Sequence, residues 1–159
     1  MGKAILGGRR APFWWGVGLA ALLGALVGLS AFTVHYARGA SYLSNSPEAC
    51  VNCHVMRDQY EAWLRSSHGR VAVCNDCHSP HTLPEKLLVK GLNGLRHGVA
   101  FTLGNFDEPI RITPFNARVV QANCEDCHRT LISQMTGPHT DEALACVSCH
   151  AGVGHPTRD

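Results

Sequence analysis

The pentapeptide CVNCH at residues 50–54 recurs in related form at three further places, as CNDCH at 74–78, CEDCH at 124–128 and CVSCH at 146–150. All eight cysteines of the 159-residue chain lie in these four Cys-x-x-Cys-His units. Two thiols three positions apart can each bond to one vinyl group of a single porphyrin, and the adjacent histidine can bind its iron. The pattern therefore predicts four covalently bound haem c groups. The predicted attachment residues are Cys50, Cys53, Cys74, Cys77, Cys124, Cys127, Cys146 and Cys149, followed by the histidines His54, His78, His128 and His150.

Paired cysteines also occur in disulfide frameworks and in zinc sites built from two Cys-x-x-Cys units. Neither requires a histidine directly after every second cysteine, so haem attachment explains the four units better. Haem c is attached on the outer side of the bacterial cytoplasmic membrane, and the pattern therefore predicts an exported domain. The 14 basic and 12 acidic residues nearly balance, so the charge gives no indication of nucleic acid as a partner.

An uncharged, largely apolar segment covers residues 13–34. As a helix it would be about 33 Å long, which matches the hydrocarbon core of a bilayer. We therefore expect a single transmembrane anchor over residues 13–35. The basic residues before it are Lys3, Arg9 and Arg10. They predict that residues 1–12 are cytoplasmic and that residues 36–159 lie on the periplasmic side of the bacterial inner membrane. A cleaved signal peptide is the alternative, but its apolar part would be shorter.

The four units form two pairs, because 19 and 17 residues separate the units within a pair while 45 lie between the pairs. This spacing predicts two di-haem modules, at about residues 46–82 and 120–156. A domain of this size cannot build a large apolar core, so porphyrins must supply most of it, and folding should depend on haem attachment. The predicted fold class is mainly α with much irregular structure: one N-terminal transmembrane helix and a small multihaem cytochrome c domain.

Between the modules, an amphipathic pattern predicts a helix at about residues 84–101. Its apolar face carries Leu88, Leu92, Leu95 and Val99, and its polar face carries Lys86, Lys90, Asn93 and His97. A helix at the membrane interface fits this pattern, and so does an ordinary helix that covers a haem.

Six histidines lie outside the haem units and are candidates for the distal side of an iron. His68 and His155 are the strongest candidates. His139 is the next, because it precedes the fourth unit by seven positions, much as His68 precedes the second unit by six. His81 follows His78 too closely to reach the same iron from the other side, so we expect it to contact a carbonyl or a propionate.

Met56 stands two residues after His54, in the sequence Cys-x-x-Cys-His-x-Met. A methionine is usually core filler. At this position it is close enough to compete with His54 for the first iron.

These features resemble the NapC/NirT family of tetrahaem quinol dehydrogenases and, within it, the small membrane subunits of cytochrome c nitrite reductases. The resemblance is carried by the single anchor, the paired haem units, CVNCHVM at 50–56, CNDCHSPH at 74–81 and the stretch from Phe101 to Cys124. It implies a protein that oxidises menaquinol at the membrane surface and passes electrons to a periplasmic pentahaem cytochrome c nitrite reductase.

The resemblance also implies a ligand set. Met56 would bind the first iron in place of His54, and Lys90 would lie near the quinol. The second haem would take His78 with His155, and the third would take His128 with His68.

The sequence departs from the family pattern at two places. His97 stands where the family commonly has an aspartate near the first haem, so it is open whether His97 binds the iron, accepts a quinol proton or only lies nearby. The fourth haem, on His150, receives a lysine from the reductase in some members, whereas the repeat favours His139 of this chain.

The predicted mechanism places the first haem close to the membrane, because only 15 residues separate Val34 from Cys50. Lys90 and His97 would hold the quinol oxygen and accept protons, and they are the predicted catalytic residues. The alternatives are a donor to another periplasmic reductase and an anchored cytochrome that does not oxidise quinol itself. Direct nitrite reduction by this chain is not favoured, because no unit carries lysine in place of its histidine.

Overall fold

The computed structural model describes residues 10–134 and 145–155. Over these residues the chain forms helices and irregular segments and no strand, so the predicted fold class is confirmed. The chain divides into two units, the first ending at Ala40 and the second beginning at Ser41. The α-helices are α1 (Arg10–Tyr36), α2 (Arg57–Leu64), α3 (Cys74–His78), α4 (Leu83–Leu103), α5 (Pro114–Cys127), α6 (Arg129–Ile132) and α7 (Cys146–Cys149). Three 3₁₀ segments cover Gly39–Leu43, Pro47–Asn52 and His54–Met56.

Helix α1 makes up most of the described part of the first unit. Its segment Pro12–Tyr36 has 25 residues and a mean hydropathy of 2.2, which is long and apolar enough to cross a membrane. Its side chains are exposed along this whole segment. A helix that is apolar on all sides and not covered by protein is typical of a membrane span, although a signal sequence has a similar composition.

The second unit has very little apolar core. Among the residues that the structure describes, Val89 is the only hydrophobic one that is buried, at 4% exposure, and no large side chain is fully enclosed. The other buried residues of the described part are Pro47 and the polar residues Ser79, Lys90 and Asn123. A domain of about 120 residues needs more apolar burial than this to fold, and porphyrin rings would provide it.

Helix α4 coincides with the predicted amphipathic segment and extends slightly beyond it. It begins after Thr82 with Pro84 in its first turn, and it ends at Gly104, whose φ of 65° favours glycine. Lys90 on its polar face is buried, whereas Leu88, Leu92, Leu95 and Val99 on its apolar face are 43% to 68% exposed. The polar face of α4 therefore packs against its own domain, and the apolar face is left uncovered.

Candidate haem-binding site

Three of the four haem units lie on a helical turn. The second unit forms the whole of α3, which begins with a hydrogen bond from the Val73 amide to the Asp76 carboxylate at 2.8 Å. The third unit ends α5, and the fourth forms α7. In these last two, the amides of His128 and His150 each donate to the first cysteine of the unit at 2.9 Å. One turn of helix thus brings two thiols and an imidazole to one side, as haem attachment requires.

The first unit has a different backbone. Cys53 is extended, with φ −93° and ψ 116°, and it separates the 3₁₀ segment Pro47–Asn52 from the segment His54–Met56. His54 is therefore not carried on the same helical turn as the two cysteines, and it is exposed. The amide of Met56 donates to the Cys53 carbonyl at 2.9 Å, and Met56 is half-buried. This break supports competition between Met56 and His54 for one iron.

Two pairs of imidazoles lie at a distance that suits one iron. The ring centroids of His78 and His155 are 6.0 Å apart with an interplanar angle of 8°, and those of His68 and His128 are 6.1 Å apart at 66°. Two histidines on opposite sides of one metal, with bonds of about 2 Å, place their ring centres about 6 Å apart. The structure thus brings together the two pairs that the family resemblance implies. His139 lies outside the described residues, so it cannot be placed next to His150.

A side chain beside the second haem unit contacts the third unit, and a side chain beside the third unit contacts the second. From the third unit's side, the buried Asn123 amide donates to the carbonyls of Cys77 and Ser79, both at 2.9 Å. From the second unit's side, His81 Nδ1 lies 3.0 Å from the Asp126 carboxylate and Nε2 lies 3.1 Å from the Asp76 carbonyl. The expected carbonyl contact of His81 is confirmed. The Asp126 hydrogen bond raises the pKa of His81, which favours its protonated form.

Polar contacts also join the other neighbouring units. Asn75, inside the second unit, donates to the Ser44 carbonyl at 3.0 Å, just before the first unit. Gln121, one turn before Cys124, accepts from the amide of Cys146 at 2.9 Å. Hydrogen bonds therefore link each haem unit, or the residues beside it, to those of the next unit along the chain.

The sequence analysis did not identify the bridging residues. Asn75, Gln121 and Asn123 belong to no motif of their own, and an amide near a haem unit is ordinary in a polar sequence. Their position inside or just before a haem unit was the only available signal.

Lys90 is fixed by three protein oxygens. Its ammonium donates to the carbonyls of Ser44 at 2.8 Å and Leu43 at 3.3 Å, and to Asn45 Oδ1 at 3.3 Å. Burial is the main cause that lowers the pKa of Lys90. An ammonium has three donors, so any further acceptor would have to replace one of the two longer hydrogen bonds.

His97 lies seven residues after Lys90, on the same face of α4. Its Nδ1 is 3.2 Å from the hydroxyl of Tyr42, a residue that the sequence analysis did not single out. Partial burial and the neighbouring Arg96 lower the pKa of His97. Burial is the main cause that raises the pKa of Tyr42.

Haem-attachment units on short helices, with two histidine pairs at an iron-spanning distance, define the class of c-type cytochromes. Residues 12–159 match the NapC/NirT cytochrome c family, N-terminal region. The chain belongs to this family, which implies covalently bound haem c.

Several relatives are similar over most of their length. The chain is 39% identical to cytochrome c-type protein NrfH of Wolinella succinogenes, covering 81% of this chain and 79% of that protein. It is 33% identical to cytochrome c nitrite reductase subunit NrfH of Nitratidesulfovibrio vulgaris, covering 83% and 80%. A chain of the cytochrome c nitrite reductase NrfHA complex, crystallised with the inhibitor HQNO, matches with a TM-score of 0.64 and 29% identity, over 86% of this chain and 90% of that one.

Proposed function

We propose that this chain is a membrane-anchored menaquinol dehydrogenase that passes electrons through four haem c groups to a periplasmic pentahaem nitrite reductase. The observation that carries this proposal is the set of hydrogen bonds that link each haem unit, or the residues beside it, to those of the next unit along the chain. A chain of linked haem sites, the first of which follows the apolar segment after only 15 residues, suits electron transfer from a lipid-soluble donor to a partner.

The residues that would hold the haems are those predicted from the sequence. Each pair of cysteines would form two thioether bonds, and the iron of each haem supplies one-electron redox chemistry. The proposed axial ligands are Met56 for the first haem, His78 with His155 for the second, His128 with His68 for the third, and His150 with His139 for the fourth. The ring distances of 6.0 and 6.1 Å support the second and third assignments.

The membrane position rests on two apolar surfaces. Helix α1 would span the bacterial inner membrane, and the basic residues before it would keep the N-terminus cytoplasmic and the haem domain periplasmic. The exposed leucine face of α4 would lie in the interface, with its polar face directed at the domain. Lys90 and His97 are on the polar face of the same helix. Quinol would therefore have to reach them from the edge of α4 that meets the lipid.

His97 is the proposed proton acceptor for quinol. An imidazole with a lowered pKa is neutral at pH 7 and can take up a proton. Lys90 is proposed to orient the quinol oxygen, by exchanging one long hydrogen bond, and to fix residues 43–45 through the others.

The proposed partner follows from the relatives. NrfH of Nitratidesulfovibrio vulgaris is named as a subunit of cytochrome c nitrite reductase, and the similar solved chain comes from the NrfHA complex. A donor to another periplasmic reductase is the second candidate, because membership of the NapC/NirT cytochrome c family does not specify one reductase.

The test uses the full chain, purified in detergent with its haem. The mass should exceed that of the polypeptide by four haem groups, and menaquinol should reduce the protein. Lys90→Met, which keeps the length of the side chain but not its charge, should lower the reduction rate at least tenfold at unchanged haem content. Arg118→Met, which removes an exposed positive charge on α5, is the control. If dithionite reduces the wild-type protein but menaquinol does not, the proposed quinol dehydrogenase is wrong. The chain would then be an anchored electron-transfer cytochrome that does not oxidise quinol.

A further inference from the structure

Tyr42 contacts α4 beside His97. Its hydroxyl oxygen lies 3.2 Å from His97 Nδ1, and the two rings meet edge to face with centroids 6.2 Å apart. A Cβ added at Gly94, one turn before His97, would lie 3.4 Å from Cε1 of Tyr42. The phenol ring therefore lies directly on the helix, and the glycine leaves room for it.

The same short segment also holds Lys90. The residues after Tyr42, from Leu43 to Asn45, provide the three oxygens that accept from the Lys90 ammonium. Tyr42 itself stands eight residues before Cys50 of the first haem unit. Residues 42–45 thus fix both polar residues of the proposed quinol site from the side of the first haem unit.

We infer that Tyr42 is a positioning residue for His97: its oxygen accepts a hydrogen bond from Nδ1–H, which keeps the lone pair of the imidazole on Nε2. A neutral imidazole has one protonated and one basic nitrogen, and the partner of one nitrogen decides the state of the other. Each step of quinol oxidation removes one electron and one proton from a quinol hydroxyl. Nε2 would take the proton while the electron passes to the first haem. This inference rests on the proposed function.

The pH profile of kcat/KM for menaquinol tests the direction of the hydrogen bond. A bond from Nδ1–H to the phenol oxygen is stronger in the imidazolium form, so its loss in Tyr42→Phe should lower the pKa of His97 and move the acid limb to lower pH. A hydroxyl that instead donated to Nδ1 would stabilise the neutral form, and its loss would move the limb to higher pH.

The other charged or titratable groups near this pair do not change between the variants. They are Arg96 and Lys90 on α4, and Cys50 and Cys53, which become neutral thioethers when haem is attached. Tyr60→Phe is the matched control, because this phenol contacts Glu48 at 3.4 Å and not α4. Its profile should coincide with that of the wild type.

Binding of the inhibitor HQNO gives a readout that does not depend on turnover. Loss of one neutral hydrogen bond should weaken binding by about 3- to 10-fold in Tyr42→Phe. In a His97→Leu background the same substitution should have no further effect, because Tyr42 acts through His97. If Tyr42→Phe does not assemble with haem, Tyr42→3-fluorotyrosine keeps the ring and hydroxyl but weakens the oxygen as an acceptor. The acid limb should again move to lower pH.

The outcomes separate this inference from the proposed function. A wild-type protein that neither oxidises menaquinol nor binds HQNO overturns both. If the wild type oxidises menaquinol and binds HQNO, three results for Tyr42→Phe overturn only the role of Tyr42. They are an unmoved acid limb, an acid limb moved to higher pH, and an equal loss of HQNO binding in the presence and absence of His97.

Discussion

The substitution Asn123→Ala tests whether hydrogen bonds, and not an apolar core, hold the second and third haem units together. The Asn123 side chain is only 7% exposed, and its amide donates to two backbone carbonyls at 2.9 Å. Those carbonyls belong to Cys77 and Ser79, on either side of the proposed iron ligand His78. Alanine would leave both without this donor.

The magnitude follows from the two lost hydrogen bonds. Each buried carbonyl that loses its donor costs about 1–2 kcal/mol, so the two together cost about 2–4 kcal/mol. Alanine is the better helix former, which returns about 0.5 kcal/mol within α5. The hydrogen bonds are the larger effect, and we expect a net loss of about 2–3 kcal/mol. For a chain of this length such a loss lowers Tm by about 5–10 °C.

Thermal unfolding of the haem-loaded protein in detergent, followed by circular dichroism and by the Soret band, measures this effect. Asn105→Ala is the control, because Asn105 is exposed after the end of α4, and its Tm should stay within about 2 °C of the wild type. If Asn123→Ala unfolds at the same temperature as Asn105→Ala, the bridge does not stabilise the domain and the reasoning is wrong.

Three further predictions concern the ligands and the second bridge. His155→Ala should replace one low-spin ferric EPR signal by a high-spin one, whereas His35→Ala should leave the spectrum unchanged; an unaltered spectrum in His155→Ala would exclude its pairing with His78. Met56→Leu should keep four haems but alter the ferric signal of the first one only, and an unaltered signal would return that iron to His54. His81 has a raised pKa, so its contact with Asp126 stabilises the protein fully below its ordinary value of 6.5 and is lost as pH rises through the higher folded value. Measured Tm should therefore fall with rising pH above about 6.5 more steeply in the wild type than in His81→Gln, and parallel curves would contradict this.

The fold could be predicted from the sequence because its determinants are local. The repeated spacing of cysteine and histidine favours short helical turns, which three of the four units form, and an uncharged apolar run favours a long apolar helix. The ends of α4 could be placed to within about two residues from its apolar and polar faces alone, at 84 and 101 against the observed Leu83 and Leu103. The extended backbone at Cys53 could not be predicted, because the first unit has the same cysteine and histidine spacing as the others.

The site was predictable in its residue types and less so in its contacts. Lys90 and His97 were singled out from the family pattern and the polar face of α4, and the structure brings both against residues 42–45. That Lys90 is already bound by three oxygens depends on the path of a loop 45 to 47 residues earlier in the chain. The contact of Tyr42 could not be predicted either, because no local pattern shows which side chain will lie on α4 over Gly94.

The near absence of buried apolar side chains explains why directional contacts matter in this domain. Close packing of side chains fixes distances in ordinary proteins, but packed porphyrins are large, flat and able to slide unless their attachment points are fixed. Asn75, Gln121 and Asn123 each make a hydrogen bond to a backbone atom close to or inside a neighbouring haem-attachment sequence. Because residues 42–45 bind both Asn75 and Lys90, the position of the proposed quinol site and the spacing of the first two haem units depend on the same four residues.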